Sequence, residues 1–169
     1  MKAELKAPVS SGWLFFALVA LCGVVFGAPQ GRAADATGFK GWERDSEYNQ
    51  RYNVSEFDQF KGVVEEITVV TPLPGMAPGV GLKVRDQDGD VVNVDLGPKI
   101  FVDVDSVGLK KGDKVKVKGA WAEIDGKEVF VASKVKKSEH VELKVRRTKD
   151  GVPFWTLSPE ELEKERQEQ

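Results

Sequence analysis

Two groups of side chains in this sequence have the types and spacing that chemistry requires. One is Asp86-Gln87-Asp88-Gly89-Asp90, where alternating carboxylates on a tight turn could converge on a hard cation. The other is basic: Lys114, Lys116 and Lys118 alternate with Val115 and Val117, and Lys134, Lys136 and Lys137 follow further along the chain. The acidic group fails as a calcium loop. An EF-hand places glycine sixth and glutamate twelfth, where this chain has Val91 and Gly97. It reads as a hairpin turn, and no metal site is expected.

Catalysis finds little to work with. His140 is the single histidine and has no triad partners visible in the sequence, and no Gly-x-Ser-x-Gly elbow is present. The single cysteine, Cys22, lies in an apolar N-terminal segment. A chain cleaved beyond it has no thiol, which excludes disulfides, cysteine nucleophiles, zinc–thiolate sites and haem attached through Cys-x-x-Cys-His. The expectation is a protein that is not an enzyme and carries no cofactor.

The elements that must position the lysines are strands. Residues 60–70 are rich in β-branched residues and lack proline, which predicts the first strand, with Gly62 permitting a bulge or sharp coil. Residues 71–79 (TPLPGMAPG) hold three prolines and two glycines and must form a loop. A second strand from Val80 and a third over residues 91–96 flank Asp88-Gly89, the dipeptide of a type I′ hairpin turn, and Gly97-Pro98 ends the third. A connector over residues 99–111 carries a short helix or 3₁₀ turn. Residues 114–121 alternate with period two, lysine on one face and apolar side chains on the other. After a turn at Asp125-Gly126, residues 128–135 form the fifth strand. Five short strands with a long first loop, and the sizeable crossover between strands three and four, predict an all-β fold: a small five-stranded barrel of oligonucleotide/oligosaccharide-binding (OB) type. An SH3-like barrel or a small sandwich is the fallback.

The flanks complete the organisation. Residues 13–26 (WLFFALVALCGVVF) are uncharged over about the length of a secretory h-region, and Gly31-Arg32-Ala33 offers a small-x-small cleavage site. Residues 1–33 are therefore expected to be a signal peptide, with lipidation at Cys22 or an uncleaved anchor as alternatives. Residues 34–56 read as an extended aromatic leader, 57–137 as the barrel, and 138–157 as an edge strand followed by docking aromatics. Ser158-Pro159-Glu160-Glu161 is a capping box that opens a charged helix over 158–169, read as a solvated tail.

The 169-residue composition, 41% hydrophobic and 31% charged, is that of one ordinary soluble domain. Without residues 1–33 the net charge is −4, the wrong overall sign for a nucleic-acid binder. The charge is nevertheless polarised, since residues 110–147 hold twelve basic and six acidic side chains.

Gly41-Trp42 with Tyr48 and Tyr52, Val94-Asp95-Leu96-Gly97-Pro98, residues 111–119 (KGDKVKVKG) and Gly151-Val152-Pro153-Phe154-Trp155 resemble exported bacterial OB-fold proteins of unassigned role. More loosely, they are similar to the periplasmic bacterial OB-fold (BOF) stress-protein family. The resemblance covers about residues 41–155 and implies fold and export, but no catalytic residue.

OB barrels take ligands across strands two and three, between the first loop and the loop joining strands four and five. The ligand-binding set expected on that basis is Lys83, Arg85, Asn93, Lys116 and Lys118, with Trp121 near the rim. The resulting expectation is a periplasmic binding module for an envelope protein or small ligand, using the proline-rich loop and the outer face of strands two and three. The rivals are a single-stranded nucleic-acid binder, disfavoured because strands two and three show no stacking aromatics, and a structural component of an envelope redox complex. The bland reading of the lysines is a solvated face that blocks edge aggregation.

Overall fold

The computed structural model describes residues 38–167; the expected signal peptide and Cys22 lie outside them. Six strands follow in order: β1 (Phe57–Val70), β2 (Gly79–Asp86), β3 (Val91–Pro98), β4 (Lys114–Ile124), β5 (Lys127–Lys136) and β6 (Glu142–Lys144). They form one sheet in the order β3-β2-β1-β4-β5-β6, and a further pairing of β3 with β5 closes the first five strands into a ring. Every pairing is antiparallel except β3–β5, which is parallel and brief, with Val94 opposite Phe130 and Asp95 opposite Val131.

The ring closes because β1 is long enough to serve two neighbours. Its first half, Phe57–Val63, pairs with β4, and Gly62–Val70 pairs with β2. Gly62 belongs to both registers, and the β1–β2 ladder breaks between Val64 and Glu66, leaving Glu65 as the extra residue that turns the strand. The bulge thus falls three residues beyond the glycine. Alternation then sends Val64, Leu82, Val84, Val94, Leu96, Val115, Val117, Phe130 and Val135 into one core, each almost wholly removed from water. At about 1.5–3 kcal/mol per large apolar side chain, this burial is the main force holding the ring closed.

The β2–β3 connection is a hairpin of a different kind from that expected. A type I′ turn needs positive φ at both central residues. Gly89 has φ +96° but Asp88 does not share it, and the Asp86 N–H donates to the Asp90 carbonyl. The result is a three-residue turn with glycine at its last position, and Asp86 Oδ1 accepts the N–H groups of Asp88 and Asp90. The true type I′ geometry lies at Asp125-Gly126 (φ +51° and +69°), between β4 and β5.

Two other expectations change. Pairing in β3 runs on through Gly97 and Pro98, opposite Val80 and Gly79. The leader is folded rather than extended: it holds helix α1 (Glu47–Gln50), capped by Ser46, and a 3₁₀ turn at Val54–Glu56. The C-terminal segment forms helix α2 (Pro159–Gln167), whose capping box pairs Ser158 N–H with Glu161 Oε2 and Glu161 N–H with Ser158 Oγ. Arg147–Glu165 and Arg44–Glu161 contacts tether it to the body, while most of its side chains are exposed as expected of a solvated charged helix. The connector does carry a 3₁₀ turn, Asp105–Val107, and the edge strand falls at β6. No helix among the described residues is long and apolar enough to cross a membrane.

Candidate functional site

Strand β4 carries the basic constellation. Its alternation buries Val115 and Val117 and turns Lys114, Lys116 and Lys118 outward. Register then brings in partners from both sides: Lys116 stands opposite Lys61 on β1 and opposite Lys136 on β5. One step along, Lys118 faces Gln59 and Lys134; one step back, Lys114 faces Val63, which faces Arg85 on β2. Of these, Lys61, Arg85, Lys114, Lys116, Lys118 and Lys136, with Lys137 beyond the end of β5, line an open cleft of about 840 Å³ that also takes in Gly62, Val63 and Val115.

Neighbouring strands lie ~4.8 Å apart, so Lys61, Lys116 and Lys136 form a row of three like charges side by side. Such cross-strand pairs destabilise a sheet. Among the described residues, relief comes at the margins, where Arg85 Nε lies 2.7 Å from Glu65 Oε1 and Lys137 Nζ lies 2.8 Å from Asp113 Oδ2. The Lys137 hydrogen bond holds the Asp113 carboxyl below its usual range. Among the described residues, Lys61, Lys114, Lys116, Lys118 and Lys136 have no ion pair. The acids on the cleft's lining are Asp86 and Glu139.

Of the ligand-binding set expected from sequence, the fold gathers Arg85, Lys116 and Lys118, and it adds Lys114, Lys136 and Lys137 of the basic group but not Lys134. It leaves Lys83, Asn93 and Trp121 off the cleft. Lys83 is neutralised by Glu66 at 2.7 Å, and Asn93 stands beside it in register on β3. Trp121 is engaged in packing: it stacks on Phe60 at 6.5 Å, meets Phe130 edge-on at 5.0 Å, and donates from Nε1 to Asp58 Oδ2. The proline-rich loop is engaged as well, since the Ala77 N–H bonds to the Lys40 carbonyl and the Ala77 carbonyl accepts from Trp42 Nε1. The basic face is therefore built on β1, β4 and β5 with the end of β2, rather than on strands two and three. Lys61 was not singled out from sequence, and Lys114, Lys136 and Lys137 stood outside the expected ligand-binding set. The signal for those on strands was period-two alternation, which shows the face of each strand but not which strands lie side by side.

A second constellation, absent from the sequence reading, is buried. Arg146, 2% exposed, is enclosed by three aromatic rings: its guanidinium carbon lies 4.9 Å from the Trp155 ring centre, 5.4 Å from Tyr52 and 5.7 Å from Tyr48. Its Nη2 donates to Asn49 Oδ1 at 2.8 Å and its Nη1 to the Gly151 carbonyl. The balancing charge is Asp95 on β3, 5% exposed, which accepts from Tyr48 Oη at 3.3 Å. Burial raises the Asp95 carboxyl to about 6, and Tyr48 and Arg146 only partly offset it. Trp42 completes the clasp: it is edge-on to Trp155 at 5.9 Å, and its carbonyl accepts from Trp155 Nε1 at 2.7 Å. The leader, β3 and the C-terminal segment are thereby knitted together over one side of the ring. A buried guanidinium needs this much compensation, so the cluster is a structural device.

Fold and face together define a small, ring-closed β protein whose outer surface concentrates unpaired lysines in one cleft. Residues 56–142, more than half of the chain, match the model of the MamS/MamX magnetosome protein family, and the chain belongs to that bacterial family. The match contains the five ring strands, every lysine of the cleft and Asp95; α1, Arg146 and the aromatic rings around it lie outside it. No curated protein matches the chain.

Proposed function

We propose that this chain is a non-enzymatic, exported binding module of OB type that serves the magnetosome and holds an anionic partner on its lysine-lined cleft. The observation that carries the reading is the in-register row Lys61–Lys116–Lys136, which has no ion pair among the described residues. A row of like charges that lowers stability is intelligible if an external anion completes it.

The OB reading is supported by the ring order β1-β2-β3-β5-β4, the parallel contact of β3 with β5, and the connector between β3 and β4. Export is supported by the apolar segment and Gly31-Arg32-Ala33. The family's name supports the magnetosome assignment.

The test is elution from a polyanionic resin in a salt gradient. The chain is expected to bind at low salt, and the variant Lys61→Gln/Lys116→Gln/Lys136→Gln is expected to elute at markedly lower salt, whereas Lys83→Gln elutes with the wild type. Identical elution of all three proteins would overturn the assignment of the face.

A further inference from the structure

The geometry points to an extended, carboxylate-rich polypeptide segment as the occupant of the lysine cleft, a partner with Asp or Glu at alternate positions. This inference rests on the anion-binding reading above and adds the chemical class of the ligand.

Three observations select that class. The first is spacing. Along β4, Lys114, Lys116 and Lys118 recur every second residue, about 6.6–7 Å apart. A polypeptide in extended conformation alongside them repeats its side chains with the same period, so acids at i, i+2 and i+4 meet successive ammonium groups. The Lys61–Lys116–Lys136 row, running across the strands, widens the positive track on both sides of the central lysine.

The second is the chemistry of the lining. Single-stranded nucleic acids are held by base stacking on aromatic faces as well as by charge. None of the cleft residues is aromatic, and the nearby rings of Phe60 and Trp121 are engaged with Phe130 and with each other. Lysine also outnumbers arginine here: Arg85 is the cleft's one guanidinium, and it is engaged with Glu65 and the Gly89 carbonyl. The planar fork that grips phosphate bidentately is thus engaged, while five point-charge ammonium groups, those of Lys61, Lys114, Lys116, Lys118 and Lys136, remain without an ion pair among the described residues.

The third is the floor. Gly62 and Val63 leave the middle of the cleft low and partly apolar, and Val63 is 38% exposed among the lysines that line it. A segment that alternates acids with small aliphatic residues could lay aliphatic side chains on this strip while its acids reach the lysines. The overall charge of −2 makes this cleft a local positive region in an otherwise acidic chain, which favours capture of a partner by its acidic stretch rather than general adhesion to polyanions.

Fluorescence anisotropy on the full chain, with three labelled probes at low and high salt, tests this. The probes are a ten-residue peptide alternating Glu with Val or Ser, a peptide of the same composition with its glutamates blocked together, and an oligothymidylate of equal charge. The alternating peptide is expected to bind at least tenfold more tightly than the other two and to weaken with salt. Lys114→Gln/Lys116→Gln/Lys118→Gln should reduce its affinity at least tenfold while the melting temperature stays level or rises, because like-charge repulsion has been relieved. Oligothymidylate binding as tightly as the alternating peptide, or equal binding of the two peptides, would overturn the inference and leave the anion-binding reading standing. If no probe binds and the variant behaves as wild type, both fall.

Discussion

The buried carboxyl of Asp95 yields the sharpest quantitative prediction. The Asp95 carboxyl has an ordinary value of 3.8 when the chain is unfolded, and burial raises it to about 6 in the folded protein. The folded state therefore holds a proton on this group over a pH range where the unfolded state has lost it. The stability that this group confers is fully present below 3.8 and is lost as pH rises through about 6. A gap of about two pH units is worth about 3 kcal/mol, and for a domain of this size that amounts to roughly 10 °C in melting temperature. Asp113 and Glu142 act in the opposite sense, since lysine contacts lower both and their contributions appear as pH rises. The raw pH profile is thus a mixture, and the difference between wild type and Asp95→Asn isolates the buried acid. Circular-dichroism melts at constant ionic strength from pH 3.5 to 7.5 should show wild type losing about 3 kcal/mol relative to the variant. Parallel profiles across that window would refute the claim that the carboxyl is buried against its ionisation.

Two further outcomes follow from the same packing. Arg146→Ala removes the cation while leaving Asp95 buried and Asn49 short of a partner, and should cost about 3–5 kcal/mol in urea unfolding; Arg146→Lys should recover little, because one ammonium cannot present a flat face to three rings. Gly79→Ala should cost about 1–3 kcal/mol in the same assay, since the added methyl would press on the Trp42 indole and lie 2.8 Å from the Gly97 carbonyl oxygen.

Local pattern determined much of this protein. Alternation of lysine with valine from Lys114 onward was enough to define β4 and its two faces, because side-chain direction in a strand depends only on parity. Prolines at 72, 74 and 78 made the first loop unavoidable, and Ser158 with Glu161 marked the start of α2, since each rests on backbone groups a few residues apart.

What tertiary structure alone decided was adjacency. Lys61 becomes part of the cleft only because β1 pairs with β4 in a register that sets it beside Lys116, whereas Lys83 is removed from it by a neighbouring Glu66. Arg146 gave no signal in its charged segment; it became a buried cation when Tyr48 and Tyr52, about a hundred residues earlier, closed over it with Trp155. The same holds for the hairpins, where two Asp-Gly dipeptides adopted different turns because the flanking strands, not the dipeptide, fixed how many residues each turn must span. Parity is written in each strand; the choice of neighbour is made by the ring's single shared core, and the charge placed on its surface follows from that choice.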